Sequence, residues 1–99
     1  MKTKEEILKI LSQGMPFLKE RYQVQHCGLF GSYAHGQTSP KSDIDILVRF
    51  SRPKSLFQLV RIEDEIEETL HMKVDLVTEK AVSPYLVDAI RRDEVVIFG

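Results

Sequence analysis

The stretch Leu-Phe-Gly-Ser-Tyr-Ala-His-Gly-Gln-Thr-Ser-Pro-Lys-Ser-Asp-Ile-Asp-Ile-Leu-Val, residues 29–48, decides the fold that the sequence predicts. An apolar strand ends at Phe30, and a small-residue turn follows at Gly31–Ser32. The turn enters a short predicted helix that Gly36 closes, and a loop then leads to a second strand that begins at Ser42. The stretch therefore predicts a strand, a tight turn and a neighbouring strand.

The second strand carries two aspartates separated by one residue. Side chains two apart on a strand point to the same face of a sheet. Asp43, Asp45 and Leu47 are therefore expected on one face, and the other face is β-branched: Ile44, Ile46 and Val48. This strand is expected to be half core and half functional site.

Length and composition limit the possible classes of protein. The length of 99 residues predicts a single domain over residues 1–99. The composition, 42% hydrophobic and 29% charged residues, is ordinary for a globular protein. A net charge of −1 argues against direct nucleic-acid binding, although a nucleotide can still be a substrate if a metal supplies positive charge. The lone cysteine, Cys27, excludes an internal disulfide and is expected to be buried. We expect no signal peptide and no membrane span, and hence a cytoplasmic protein.

The rest of the chain alternates helices and strands. The predicted elements are a helix over 3–22 with a break or kink at Gly14 and Pro16, strands over 24–30, 42–50, 73–78 and 95–98, a helix that begins at Ser55, and a helix that begins at Ser83–Pro84 and ends near 92–93. The first strand is expected in the middle of the sheet and the last at an edge. This order predicts an α/β (α+β) fold around a mixed four-stranded sheet.

The helix after Ser55 has an apolar face and an acidic face. Five apolar residues are predicted to face inward: Leu56, Leu59, Val60, Ile66 and Leu70. Four acidic residues are predicted to face outward: Asp64, Glu65, Glu67 and Glu68. The acidic face is either a solvated helix surface or a docking surface for a basic partner.

A third aspartate completes a possible site. Asp75 lies on the predicted strand over 73–78, and if this strand pairs with the second one, Asp75 can approach Asp43 and Asp45. Two unit charges about 4 Å apart repel by roughly 4 kcal/mol near a protein surface. A hard divalent cation with oxygen ligands, such as Mg²⁺, offsets that repulsion. His26 and His71 are expected at the surface or at strand edges, because no Cys/His spacing indicates zinc.

Gly31 and Ser32 fit a phosphate cradle. They lie between a strand and a predicted helix start, where backbone N–H groups point outward, and glycine allows close approach. An ordinary turn with Ser32 as N-cap remains an alternative, as does a plain surface role for Asp45 or Asp75. Together, the cradle and the aspartates predict metal-assisted transfer at a nucleotide phosphate.

Three segments resemble a known family: Phe-Gly-Ser-Tyr-Ala-His-Gly at 30–36, Ser-Asp-Ile-Asp-Ile-Leu-Val at 42–48 and Val-Asp-Leu-Val at 74–77. They resemble the minimal nucleotidyltransferase (MNT) branch of the DNA-polymerase-β-like superfamily. The resemblance implies helices mainly on one sheet face and the carboxylates on the other. It also implies that Gly31 and Ser32 hold the triphosphate of ATP, that Asp43 and Asp45 ligate two Mg²⁺ ions, and that Asp75 completes the metal site and helps to activate the attacking hydroxyl.

The family's biology is implied in the same way. Minimal members are antitoxins that transfer AMP to a tyrosine of a HEPN-domain RNase toxin, expected here from the adjacent gene. His35 stands where the family has arginine, and it is either a nucleotide contact or a plain loop residue. Two other functions stay open: a non-catalytic module that neutralises its partner or senses a nucleotide by contact, and a stand-alone enzyme that modifies a small alcohol.

Overall fold

The computed structural model describes residues 3–36 and 43–99. In chain order the elements are α1 (Lys4–Tyr22), β1 (Val24–Phe30), β2 (Ile44–Phe50), α2 (Leu56–Leu70), β3 (Val74–Thr78), a 3-10 helix (Glu79–Ala81), α3 (Pro84–Asp93) and β4 (Val95–Phe98). The predicted strands and long helices are present, but within the described residues no helix separates β1 from β2, where the sequence predicts a short one that Gly36 closes. The predicted loop over 37–42, including the expected strand start at Ser42, lies outside the described residues, and Asp43 directly precedes β2.

The four strands form one mixed sheet in the order β3-β2-β1-β4. β1 pairs antiparallel with both β2 and β4, whereas β2 and β3 run parallel. The parallel pair requires a crossover connection, which α2 supplies. The predicted central position of β1 and the edge position of β4 are confirmed.

The main core lies between one face of the sheet and the two long helices. α1 and α2 bury apolar residues there against alternate residues of the strands, among them Leu29, Ile44, Ile46 and Val48. The opposite face carries α3, which contacts β1 and buries Val87 and Ile90. Helices therefore cover mainly one face, as predicted. Cys27 is buried in the main core, and burial raises the pKa of its thiol to about 12.

The predicted helix starts are confirmed by their caps. The Thr3 hydroxyl accepts from the Glu6 N–H while the Glu6 carboxylate accepts from the Thr3 N–H, which completes a capping box at α1. Ser55 caps α2, and Ser83 caps α3 ahead of Pro84. Among the residues that the structure describes, no helix is long and apolar enough to cross a membrane.

The predicted break in the first helix is wrong, because α1 is continuous through Gly14 and Pro16. Proline removes one backbone hydrogen bond, but Pro16 lies on the exposed side of the helix. Met15 and Leu18 on either side of it are buried in the core. Their burial compensates for the lost bond, so that the helix continues.

Part of the predicted inner face of α2 is also wrong. Ile62, Ile66 and Leu70 are the buried residues of this helix, whereas Leu56 and Val60 are exposed. An apolar spacing shows that a stripe exists, but it does not show how far along the helix the sheet extends. The first turns of α2 therefore carry apolar side chains without cover from the described residues.

Two acidic residues of α2 face the sheet edge rather than solvent. The Glu67 carboxylate accepts a hydrogen bond from the Val74 N–H at 2.9 Å, and the Glu63 carboxylate accepts one from the Leu76 N–H at 3.2 Å. These N–H groups belong to β3, an edge strand whose unpaired groups would otherwise be open to another strand. The predicted outward orientation of Glu67 is therefore wrong.

Candidate active site

The register of the parallel strands places two of the predicted aspartates side by side. Asp45 on β2 pairs directly with Asp75 on β3, so that both side chains point to the same face across a strand spacing of about 4.8 Å. Asp43 directly precedes β2, two residues before Asp45. The three carboxylates thus gather where β2 and β3 begin, on the face opposite the main core.

Negative charge accumulates at this place. Burial, the Asp75 charge and the Asp43 charge raise the pKa of the Asp45 carboxyl, in that order of importance. Within the described part of the chain, none of these three carboxylates forms an ion pair or a hydrogen bond. The described part of the chain therefore leaves this charge uncompensated.

The donor set suits a hard cation. Carboxylate oxygens are the ligands that Mg²⁺ prefers, and a cation would stabilise the charged form of Asp45, which burial and the neighbouring carboxylates disfavour. The described side chains contain no group of three or more His, Cys, Asp or Glu residues arranged closely enough to hold a metal ion. The chemistry of the three aspartates therefore fits a divalent cation, although their side chains do not form a closed coordination set.

The turn after β1 lies against the Asp45 carboxylate. Phe30, the last residue of β1, pairs with Asp45, and Gly31 follows with a φ of +75°. A Cβ atom on Gly31 would collide with Asp45 Oδ2 and would lie 3.1 Å from Asp45 Cγ. Only glycine fits both this backbone conformation and this space. Gly31 and the predicted metal ligand therefore form one structural unit.

Residues 31–36 form consecutive turns rather than the short helix that the sequence predicts. The bonds run mainly from residue i+3 back to residue i: Ala34 N–H donates to Gly31 O at 3.1 Å and Gly36 N–H donates to Tyr33 O at 3.1 Å. The Ser32 N–H makes no backbone hydrogen bond within residues 3–36 and 43–99. An open N–H beside a glycine is what a phosphate cradle needs.

His35 lies at the exposed end of this turn. Its Nε2 is 3.8 Å from Asp93 Oδ2, and Asp93 is the last residue of α3. The imidazole therefore lies between the turn and α3. A nucleotide contact for His35 stays a prediction.

The expected surface position of His26 is wrong, because His26 is buried and its Nε2 lies 2.7 Å from the Glu94 carboxylate, which is buried as well. Glu94 directly follows α3, and its side chain crosses β1 at Gly28. The crossing requires glycine, because a Cβ atom at position 28 would overlap the Glu94 carboxyl group. This pair fixes the end of α3 on the carboxylate face of the sheet. A glycine inside a strand was the sequence signal for such a close approach.

Comparison with known proteins identifies the architecture. The nucleotidyltransferase domain family matches residues 11–98. The chain belongs to this nucleotidyltransferase family. It is 40% identical over 98 residues to the candidate protein adenylyltransferase MJ0126 of Methanocaldococcus jannaschii, covering 98% of this chain and 100% of that protein. It is 36% identical over 97 residues to the protein adenylyltransferase MntA of Thermococcus cleftensis, covering 98% of each. The resemblance to minimal nucleotidyltransferases is confirmed.

A solved structure shares the fold of this nucleotidyltransferase. It contains a tri-AMPylated HEPN toxin of Shewanella oneidensis in complex with an MNT antitoxin. The two chains superpose with a TM-score of 0.71 at 21% identity, over 93% of this nucleotidyltransferase and 72% of the other chain. The α/β fold with a mixed four-stranded sheet is therefore confirmed.

Proposed function

We propose that this nucleotidyltransferase is an antitoxin that transfers AMP from ATP to a tyrosine hydroxyl of a HEPN-domain RNase toxin, encoded by the adjacent gene. The observation that carries the proposal is the direct pairing of Asp45 with Asp75 beside Gly31. Carboxylates and a backbone cradle together suit transfer at a nucleotide phosphate.

Asp43, Asp45 and Asp75 would hold the two Mg²⁺ ions. When bound, the ions neutralise charge on the triphosphate and ease ionisation of the attacking hydroxyl. The Gly31–Ser32 turn would seat the phosphates through its open N–H and the Ser32 hydroxyl. The exposed Asp75 would accept the tyrosine proton while the tyrosine oxygen bonds to the α-phosphorus and the bond to pyrophosphate breaks.

The relatives support a protein acceptor. The curated relatives are named protein adenylyltransferases, and the chain covers nearly the whole length of each. The MNT antitoxin with the same fold was solved together with an AMPylated HEPN toxin. These names favour AMP transfer to a toxin over modification of a small alcohol.

Label transfer tests the proposal. The chain is incubated with Mg²⁺, ATP labelled on the α-phosphate and the HEPN protein encoded beside it, and the modified residue is located by mass spectrometry. Label on tyrosine is expected with the parent chain and with Asp64→Asn, a control on the exposed surface of α2. Asp43→Asn, Asp45→Asn and Asp75→Asn are each expected to abolish it. Equal labelling by the parent and Asp45→Asn would exclude catalysis at this site.

A second candidate function is neutralisation by contact alone. It is favoured by His35, which stands at the position where the family has a permanently charged arginine. The His35 side chain is exposed and lies near Asp93. Toxin neutralisation in cells that survives the double change Asp43→Asn with Asp45→Asn would support this function. Loss of neutralisation in the double variant, with the complex still intact, would support catalysis.

A further inference from the structure

A cavity lies at the opposite end of the sheet from the aspartates, where β2 and β3 finish. Its volume is about 280 Å³. Four cationic side chains line it, namely those of Arg49, Arg52, Lys54 and Lys80, together with the single carboxylate of Glu79. We call this cavity and the exposed first turns of α2 the basal surface.

The carboxylate in the cavity is already engaged. Glu79 pairs with Arg91 at 2.8 Å and lies 4.0 Å from Arg49. Arg52 and Lys80 form no ion pair or hydrogen bond with any residue in the described ranges. Because the whole chain has a net charge of −1, this concentration of unpaired positive charge is local. It favours an anionic partner.

The same surface is apolar beside its cations. Phe50 and Leu59 line the cavity, and Leu56, three residues before Leu59 and therefore on the same side of α2, is 74% exposed. Large apolar side chains grouped next to a pocket are typical of protein–protein contact sites. A small anion would leave these residues uncovered, so that the combination favours a protein segment.

We propose that the basal surface docks an acidic segment of the acceptor protein, which places an apolar side chain against Leu56 and the cavity. The inference rests on the proposed function only in taking the acceptor as the partner. Five residue steps along β2, from Asp45 to Phe50, separate this surface from the aspartates by about 17 Å. A folded partner can span that distance and present its tyrosine to the aspartates. Docking here therefore positions the acceptor without touching the reacting atoms.

Affinity measurements with matched variants test the docking. The probe is the HEPN-domain protein encoded beside this chain, titrated by calorimetry against full-length variants whose folding is checked by circular dichroism. Leu56→Ser is expected to weaken binding at least tenfold, whereas Phe17→Ser, at an apolar residue 62% exposed on α1, leaves binding unchanged. Arg52→Glu with Lys80→Glu is expected to weaken binding and reduce its salt dependence, whereas Lys9→Glu on α1 does neither.

A photo-crosslinking amino acid in place of Leu56 identifies the occupant. A crosslink to an acidic peptide of the probe protein supports the proposal. A crosslink to a second copy of this chain, a crosslink to a basic peptide or no crosslink overturns it.

Label transfer separates this inference from the proposed function. A raised KM for the acceptor with unchanged kcat in Leu56→Ser supports docking, and unchanged KM overturns docking while transfer stands. Binding through Leu56 without any AMP transfer by the parent chain would leave docking intact and refute the enzymatic proposal.

Discussion

Replacing Gly31 with alanine tests whether the turn after β1 and the aspartate site form one unit. Gly31 has a φ of +75°, where an L-residue costs about 1–2 kcal/mol relative to glycine. The added methyl group would also overlap Asp45 Oδ2 and approach Asp45 Cβ to 3.3 Å. Gly31→Ala must therefore move the Asp45 carboxylate as well as strain the backbone.

Gly36 in the same turn provides a matched control. Its φ is +74°, but a Cβ atom there would have no neighbour within 4 Å among the described residues. Gly36→Ala should therefore cost only the backbone term, about 1–2 kcal/mol. Turning Asp45 out of its preferred rotamer adds about 1 kcal/mol to the cost of Gly31→Ala.

Urea unfolding of the two variants measures this difference, and AMP transfer to the partner measures its consequence. Misplacing a group by about 1 Å in an active site can cost about 100-fold in rate, so Gly31→Ala should lose far more activity than Gly36→Ala. In an Asp45→Ala background most of the overlap disappears, and the stability cost of Gly31→Ala should fall towards that of Gly36→Ala. Equal costs for both glycines, or a cost unchanged by Asp45→Ala, would refute the contact.

Asp45→Asn should raise the free energy of unfolding at pH 7 without divalent cations, because burial and neighbouring charge raise the pKa of Asp45 in the folded chain. The gain should vanish in urea titrations below the ordinary carboxyl pKa of about 4, where the parent is protonated in both states, and a gain independent of pH would contradict this cause. Gly28→Ala should cost about 3–5 kcal/mol in urea, because the methyl group would displace the buried Glu94 carboxylate from its histidine, and a cost near zero would contradict the packing. Glu67→Ala should cost about 1–3 kcal/mol and speed hydrogen exchange of the Val74 amide, which loses its acceptor, whereas unchanged exchange would show that the bond does not protect this edge.

The sequence predicted the parts of the fold that depend on local chemistry. The bounds of β1 and β4 and the caps at Ser55 and Ser83 follow from alternation and from hydroxyl groups that accept backbone N–H bonds. The position of Asp45 on the sheet face opposite Ile44 and Ile46 followed from the two-residue period of a strand. These features need no knowledge of distant contacts.

Several of the errors concern contacts between distant segments. Pro16 does not break α1, because core packing on both sides of it outweighs one lost hydrogen bond. Val60 is exposed although its spacing is helical, because the stripe that the sheet covers begins further along α2. His26 is buried because Glu94, 68 residues away, reaches it across a glycine. No local pattern encodes which side chain arrives from the other end of the chain.

The aspartate site owes its alignment to the other face of the sheet. Ile44 pairs with Val74 and Ile46 with Leu76, and these pairs flank the pair of Asp45 with Asp75. A slip of one residue would move the apolar set out of the core and a carboxylate into it, at a cost far above the repulsion between two half-exposed carboxylates. Core burial therefore fixes the register, and the register holds two like charges together that would separate on their own. The folded chain thus keeps Asp45 partly buried and beside a like charge, which is why removing the charge at Asp45 should stabilise the protein.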